Sequence, residues 1–449
     1  MSPRPAGTLP EPAGRPGRRA PLPSSAALAG RPAALPVTAG RPAPSDPGAA
    51  VMRTFFAGLV LLGTMIFTIA SFSAAPSAAP PATAAQPLET LQERLKRLPR
   101  DHRGWAELAS QYVDQARVTG DPSYYVKAEG AARTATGLAP DDDAVLTARA
   151  ALAAGRHEFA EAARLAGKAV AANPYSAAAH GVLADARTQL GDLKGAARAV
   201  DRMLELQPGV AAFARASYAA ELRGDQEGAR RYLEYAHEDA WLPADLAYVR
   251  HYLGELALHT GDLATARSWY ARALQADPSF TPALAGQARA SALGGDLRQA
   301  LDLYQRVVTR LPLPQYLVEQ GEVQLKAGLR PDWTLLDAQR RLLAAAGVGD
   351  DLTAAEFEAD HRDPERAVRY ARAEYARHPN LVAADALAWA LFRAGEPKEA
   401  LKYAERATAT GWNNPLIRYH RARIERALGR PARVDPGFDP SLPSLARLS

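Results

Sequence analysis

The 449-residue chain contains no cysteine. Disulfides, thiolate nucleophiles, zinc–cysteine sites, iron–sulfur ligation and a lipid anchor on a lipobox cysteine are all excluded. Its nine histidines are scattered. His251 and His259 fall about two turns apart on one expected helix, too far for a paired metal site, and no HExxH spacing occurs. A phosphate-cradling P-loop and a glycine-rich strand-to-helix fingerprint are also missing from the sequence. The expectation is a protein that is not an enzyme and takes no cofactor and no metal.

A one-signed charge is missing too, despite a net charge of +5. Residues 1–53 carry seven arginines and two acids, which is the whole excess. From residue 54 onward 47 basic residues face 47 acidic ones. The body of the chain has no global phosphate-binding signal, so nucleic acid is not the expected partner. Abundant Ala, Gly, Pro and Arg fit a GC-rich bacterial genome.

The N-terminus divides by composition. Residues 1–51 form a Pro/Arg-rich extension, with twelve prolines in the first 50 positions. Such a segment has little to bury and is expected to be disordered. The apolar run FFAGLVLLGTMIFTIASF, residues 55–72, reaches roughly 27 Å as a helix, about the thickness of a hydrocarbon core. Starting at Met52, residues 52–75 read as a signal peptide or a single transmembrane helix. Translation is expected to begin near Met52, which makes residues 1–51 an upstream extension. Arg53 before the run places the C-terminal body outside the cytoplasm, in the cell envelope, with a membrane contact through 55–72 if the segment is uncleaved. Residues 76–99 are an Ala/Pro-rich linker and the entry to the first helix.

What is present from there is a repeat. Gly261, Ala266, Tyr270, Ala273 and Pro278 are separated by steps of 5, 4, 3 and 5, and Gly295, Ala300, Tyr304, Val307 and Pro312 repeat them 34 residues later. Gly191, Gly224 and Gly395 open similar series, and Arg362 stands at the glycine site of another. Steps of 3 and 4 put small and apolar side chains on one helical stripe. A small residue such as Gly254 or Gly321, seven before the turn position, lets paired helices approach closely. The turn glycine allows a positive φ, the aspartate after it caps the second helix, and the proline ends that helix. Each unit is a helical hairpin that must stack to bury its apolar face.

This pattern resembles the tetratricopeptide repeat family, most fully through Leu253, Gly254, Ala266, Tyr270, Ala273 and Pro278. A degenerate first unit has Trp105, Leu108, Tyr112, Gly120 and Pro140. A second runs from about 142 to Pro174 with Gly155 and Ala162. The seventh, 313–347, departs at PDWTLLDAQRRLL. The resemblance covers roughly 100–433, about nine units and a terminal half-unit, followed by a Pro-rich tail over 434–449. It implies an all-α fold, a right-handed superhelical solenoid of antiparallel helix pairs, in which the first helix of each unit lines a concave groove. The residues placed in that groove are Tyr218, Glu221, Tyr248, His251, Tyr252 and Glu255. Further along come Arg289, Glu319, Glu322, Glu356 and Trp389. Aromatics interleaved with acids in a concavity suit a protein or peptide partner, here an extended and basic segment. The function expected is that of an interaction scaffold. An assembly factor using the convex face and an accessory subunit of a carbohydrate or cell-wall enzyme are the alternatives.

Overall fold

A computed structural model describes residues 88–345, 347–433 and 439–446. The N-terminal extension and the apolar run at 55–72 lie outside the described residues. Among the described residues there is no strand, and no helix is long and apolar enough to cross a membrane. Helix α1 (Leu88–Arg97) leads into nine hairpins. The first five are α2 (His102–Thr119) with α3 (Ser123–Leu138), α4 (Asp143–Gly155) with α5 (Phe159–Ala172), α6 (Ala177–Gln189) with α7 (Leu193–Leu206), α8 (Val210–Glu221) with α9 (Gln226–Asp239), and α10 (Pro243–His259) with α11 (Leu263–Ala276). Then come α12 (Thr281–Leu293) with α13 (Leu297–Arg310), α14 (Pro314–Lys326) with α15 (Thr334–Ala345), α16 (Asp351–His361) with α17 (Pro364–Arg377), and α18 (Leu381–Arg393) with α19 (Pro397–Ala407). An unpaired α20 (Pro415–Ala427) and a 3-10 turn (Pro443–Ala446) close the order.

The local chemistry explains the hairpins. Gly261 has φ 80°, and the N–H groups of Gly261 and Asp262 bond back to Leu258 and Ala257 carbonyls, closing the end of α10. Asp262 then caps α11 by accepting from Thr265 N at 3.0 Å, and Asp192, Asp225 and Asp296 cap their helices alike. Asn173 and Asp277, each before a repeat proline, leave the helix for extended backbone because proline bars the α region. Gly254 works as the sequence implied. A β-carbon there would lie 2.5 Å from Tyr270 Cε1, so the ring of α11 fills the space a side chain would need.

Two units depart from the regular pattern, the seventh at the stretch where its sequence does. Gly155 is not the turn residue of the second unit. It is buried at the end of α4, where a β-carbon would come within 2.8 Å of Tyr125. The left-handed position falls on His157, φ 64°, which stands 34 residues before Gly191. Helix α15 packs only lightly on α14 and leaves Leu335 and Leu342 exposed. Its Leu343, with Val348, instead joins the core formed by α1 to α4.

That contact belongs to a larger feature. The solenoid curls back on itself, so turns of early hairpins meet connectors of late ones. His157 Nδ1 lies 3.2 Å from Gly349 O, and Asn380 Nδ2 donates to Gln189 O at 3.0 Å. Phe159 meets His378 edge-on at 4.8 Å. A β-carbon on Gly191 would sit 2.6 Å from Pro379 O, and one on Gly224 would sit 2.5 Å from Gly411 O. Glycine is required at both turns by positive φ and by this close approach of backbone. Ala384, Ala407, Trp412 and Ile417 share one core with Val210, Tyr218 and Leu233. The three lines of contact join hairpins 2, 3 and 4 to the ends of hairpins 7, 8 and 9.

Candidate functional site

First helices of successive hairpins pack on one another, α4 on α6, α10 on α12, α16 on α18, so their shared face is the inner face of the curl. Of the sequence-placed groove residues, Glu221, Glu255, Arg289, Glu319, Glu322 and Trp389 are each bonded to a side chain about one repeat away. Arg215 makes a two-pronged pair with Asp185, at 2.9 and 2.7 Å. His259 Nδ1 lies 3.2 Å from Glu221, and Arg289 Nη1 donates to Glu255 at 2.7 Å. His361 Nε2 lies 3.0 Å from Glu322, Trp389 Nε1 donates to Asp360 at 2.7 Å, and His420 Nδ1 lies 2.8 Å from Asp385. Each pair spans about one repeat.

The centre of this ladder is Arg289, which has no exposed surface. Besides Glu255 it reaches Glu319 through Nε at 3.4 Å. Tyr270 OH donates to Glu255 at 2.6 Å and Tyr304 OH to Glu319 at 3.0 Å, so the repeat's tyrosines serve the acids on either side of the arginine. Burial opposes the charge on Glu255, yet Arg289, His251, His259 and Tyr270 outweigh it and hold the carboxyl at about 2. For Glu319 burial prevails over Arg289 and its hydrogen bonds, and the carboxyl moves up. His251, packed against Tyr252, Tyr270 and Phe280, is pushed down to about 4 by burial.

The open acidic field that the sequence led us to expect is therefore absent at Glu255, Glu319 and Glu322, all buried and partnered. Tyr218, Tyr248, His251 and Trp389 are buried as well, while Tyr252 and Glu356 are half-buried. The cavity beside Tyr218, Glu221, Tyr252, Glu255 and His259 measures about 20 Å³. That is room for roughly one water, not for a peptide.

One stretch of the inner face does hold a chain segment, and sequence reasoning did not anticipate it. Residues 439–446, from the Pro-rich tail, lie on α14 and α20. Leu442 and Leu445 are fully buried in the core that contains Leu317, Val318 and Phe357. Ser444 donates twice to Glu322, from N at 2.9 Å and from Oγ at 2.6 Å. Lys326 pairs with Asp439 and donates to Ser441 Oγ at 3.2 Å. His361, on the same Glu322 carboxylate, is walled by Trp333 and Phe357 at 5.7 and 5.4 Å. Burying two leucines contributes about 3–6 kcal/mol, and two hydrogen bonds to a carboxylate about 3–6 more. Fixing eight residues of backbone costs about 8–16 kcal/mol. The terms are of one size, so the tail is held only marginally.

The geometry defines a tetratricopeptide-type solenoid of stacked helix pairs. Residues 381–424, which span α18, α19 and most of α20, match a tetratricopeptide repeat family model. No curated protein matches the sequence significantly. Among solved structures, the chain is similar to TTC0263, a thermophilic TPR protein of Thermus thermophilus, at 21% identity over 42% of this chain and 99% of that one, TM-score 0.38. It is also similar to PilW, a type IV pilus biogenesis factor, at 16% identity over 50% of this chain and 96% of that one, TM-score 0.37. Human IFIT1 in complex with m7Gppp-AAAA matches at 16% identity over 72% of this chain and 76% of that one, TM-score 0.45. At these identities no role passes from them to this chain.

Proposed function

We propose that the chain is a non-catalytic protein-interaction scaffold that holds an extended partner segment against the inner face of α14, α16 and α20. The observation that carries this reading is the seat already filled by residues 439–446, which combines apolar sockets with main-chain and side-chain bonds to Glu322. Because the inner acids are neutralised within the fold, a segment without basic residues suits the site better than the basic one expected from sequence. Arg53 and the apolar run at 55–72 support a working place in the bacterial envelope, with the solenoid outside the cytoplasm.

The test is affinity capture from the native host with the full chain, its Glu322→Gln variant and its Trp241→Ala variant. Loss of partners with Glu322→Gln alone is expected. A second reading, engagement through the outer edge, is favoured by Trp241 and Tyr175, which are 66% and 75% exposed on connectors of that edge. Loss of partners only with Trp241→Ala would transfer the function there, and no specific partner for any form would refute both.

A further inference from the structure

We infer that residues 439–446 are a displaceable internal plug, and that the partner segment which takes their seat lacks basic residues and carries the order apolar–Pro–Ser–apolar. This rests on the scaffold reading and gives its ligand a chemistry. The tail shows what the seat selects. Two apolar sockets three residues apart receive Leu442 and Leu445. A carboxylate between them takes a backbone N–H and a hydroxyl from the same residue, Ser444. That pair of hydrogen bonds to Glu322 distinguishes a serine or threonine from alanine at the third position of the segment. Lys326 adds a preference for an acid three residues before the first socket, where Asp439 sits. A basic segment would meet Lys326 and find Glu322 already shared with His361.

The tail also shows why the seat is guarded. Open, it would expose the sockets of Leu442 and Leu445 beside Trp333 and Phe357, an apolar patch on an otherwise closed interior. Tethered to α20, the tail competes at an effective concentration in the millimolar range. A partner must therefore match it in chemistry and exceed it in affinity. Such a plug turns a sticky groove into one that opens only to the right sequence.

The probe is the amidated peptide DPSLPSLA, the sequence of residues 439–446, carrying a fluorophore at its N-terminus. Its anisotropy is titrated with the full chain, with Leu442→Asp/Leu445→Asp and with Asp439→Lys/Ser444→Ala. The second pair keeps both leucines, so it reports even where the first fails to fold. Wild type is expected to bind weakly, and the tail-weakened chains about tenfold or more tighter. Adding Glu322→Gln to them should return binding to the wild-type level. A tail-weakened chain that keeps its helical spectrum yet ignores the peptide would overturn the inference. Equal binding by wild type, or by a scrambled peptide, would overturn it too. Dimers formed by tail exchange would assign the seat to a second copy and refute the partner segment. Partners captured in the host without peptide binding here would sink the plug while leaving the scaffold standing.

Discussion

Replacing Arg289 with alanine probes whether the inner face is a sealed polar core or a wet groove. The side chain is fully buried, with Glu255 at 2.7 Å and Glu319 at 3.4 Å. Its removal leaves two buried carboxylates, one on α10 and one on α14, without their shared cation. Breaking such a pair costs about 3–5 kcal/mol, because the remaining charge keeps its desolvation penalty. That is a large share of the roughly 5–15 kcal/mol that holds a typical domain together. Replacing all three charges, with Glu255→Gln, Arg289→Met and Glu319→Gln, keeps acceptors for Tyr270 and Tyr304 and should recover most of the loss. Repeat arrays need not unfold in one step. The assay is therefore urea unfolding combined with hydrogen exchange of α10 to α14. A loss under about 1 kcal/mol would be that of a solvent-exposed pair. It would refute the sealed core and restore an open acidic groove.

Four other outcomes follow from the same packing. His251 is held near 4 in the fold against about 6.5 free, so its neutral form is favoured and its stability is fully present above pH 6.5. As pH falls from about 6.5 to 4, about 3 kcal/mol should be lost, and His251→Phe should flatten that part of the stability profile. Glu255, depressed to about 2, contributes above its ordinary range and loses that contribution only as pH falls from about 4.3 toward 2, so Glu255→Gln should change the profile there and not near pH 6. Gly191→Ala should destabilise more than Gly261→Ala in paired thermal melts. Both have positive φ, worth roughly 1–2 kcal/mol, but only Gly191 faces backbone from a later hairpin, and equal losses would mean the curl does not close. Gly254→Ala should cost about 1–3 kcal/mol by colliding with Tyr270, and an unchanged melt would show that α10 and α11 are not in this register.

The hairpins were legible because their determinants are local. Positive φ at Gly261, the cap from Asp262 and the break before Pro278 each act within a few residues. The inner face was legible as a face, since its residues recur with the repeat. Their pairing was not, because the partner of each acid sits on the next first helix. A signal for it exists in hindsight: Asp185, Glu221, Glu255 and Asp385 are followed about one repeat later by Arg215, His259, Arg289 and His420. An acid answered by a cation at that distance marks an internal rung, not a ligand contact. The curl itself accumulates from small rotations between hairpins, and no single residue announces it. The second turn falls on His157, in phase with Gly191, while Gly155 is explained by Tyr125, whose ring fills the space a side chain there would need. The Pro-rich tail carries no helical spacing that would predict a partner for α20. Its destination on α14, more than a hundred residues back, was not encoded by any spacing.

A photo-reactive residue in place of half-buried Trp333, beside the seat of the tail, offers the most direct measurement. The full chain bearing it would be irradiated in living cells of the native host, with and without the Asp439→Lys/Ser444→Ala pair, and the adducts sequenced by mass spectrometry. A protein-interaction scaffold with a plugged inner seat predicts self-adducts to residues 439–446 in the parent chain. In the tail-weakened chain it predicts their replacement by adducts to an extended segment of another protein that lacks basic residues. Self-adducts that vanish with nothing in their place, or partner adducts that form only when the photo-reactive residue replaces the exposed Trp241 instead, would contradict it.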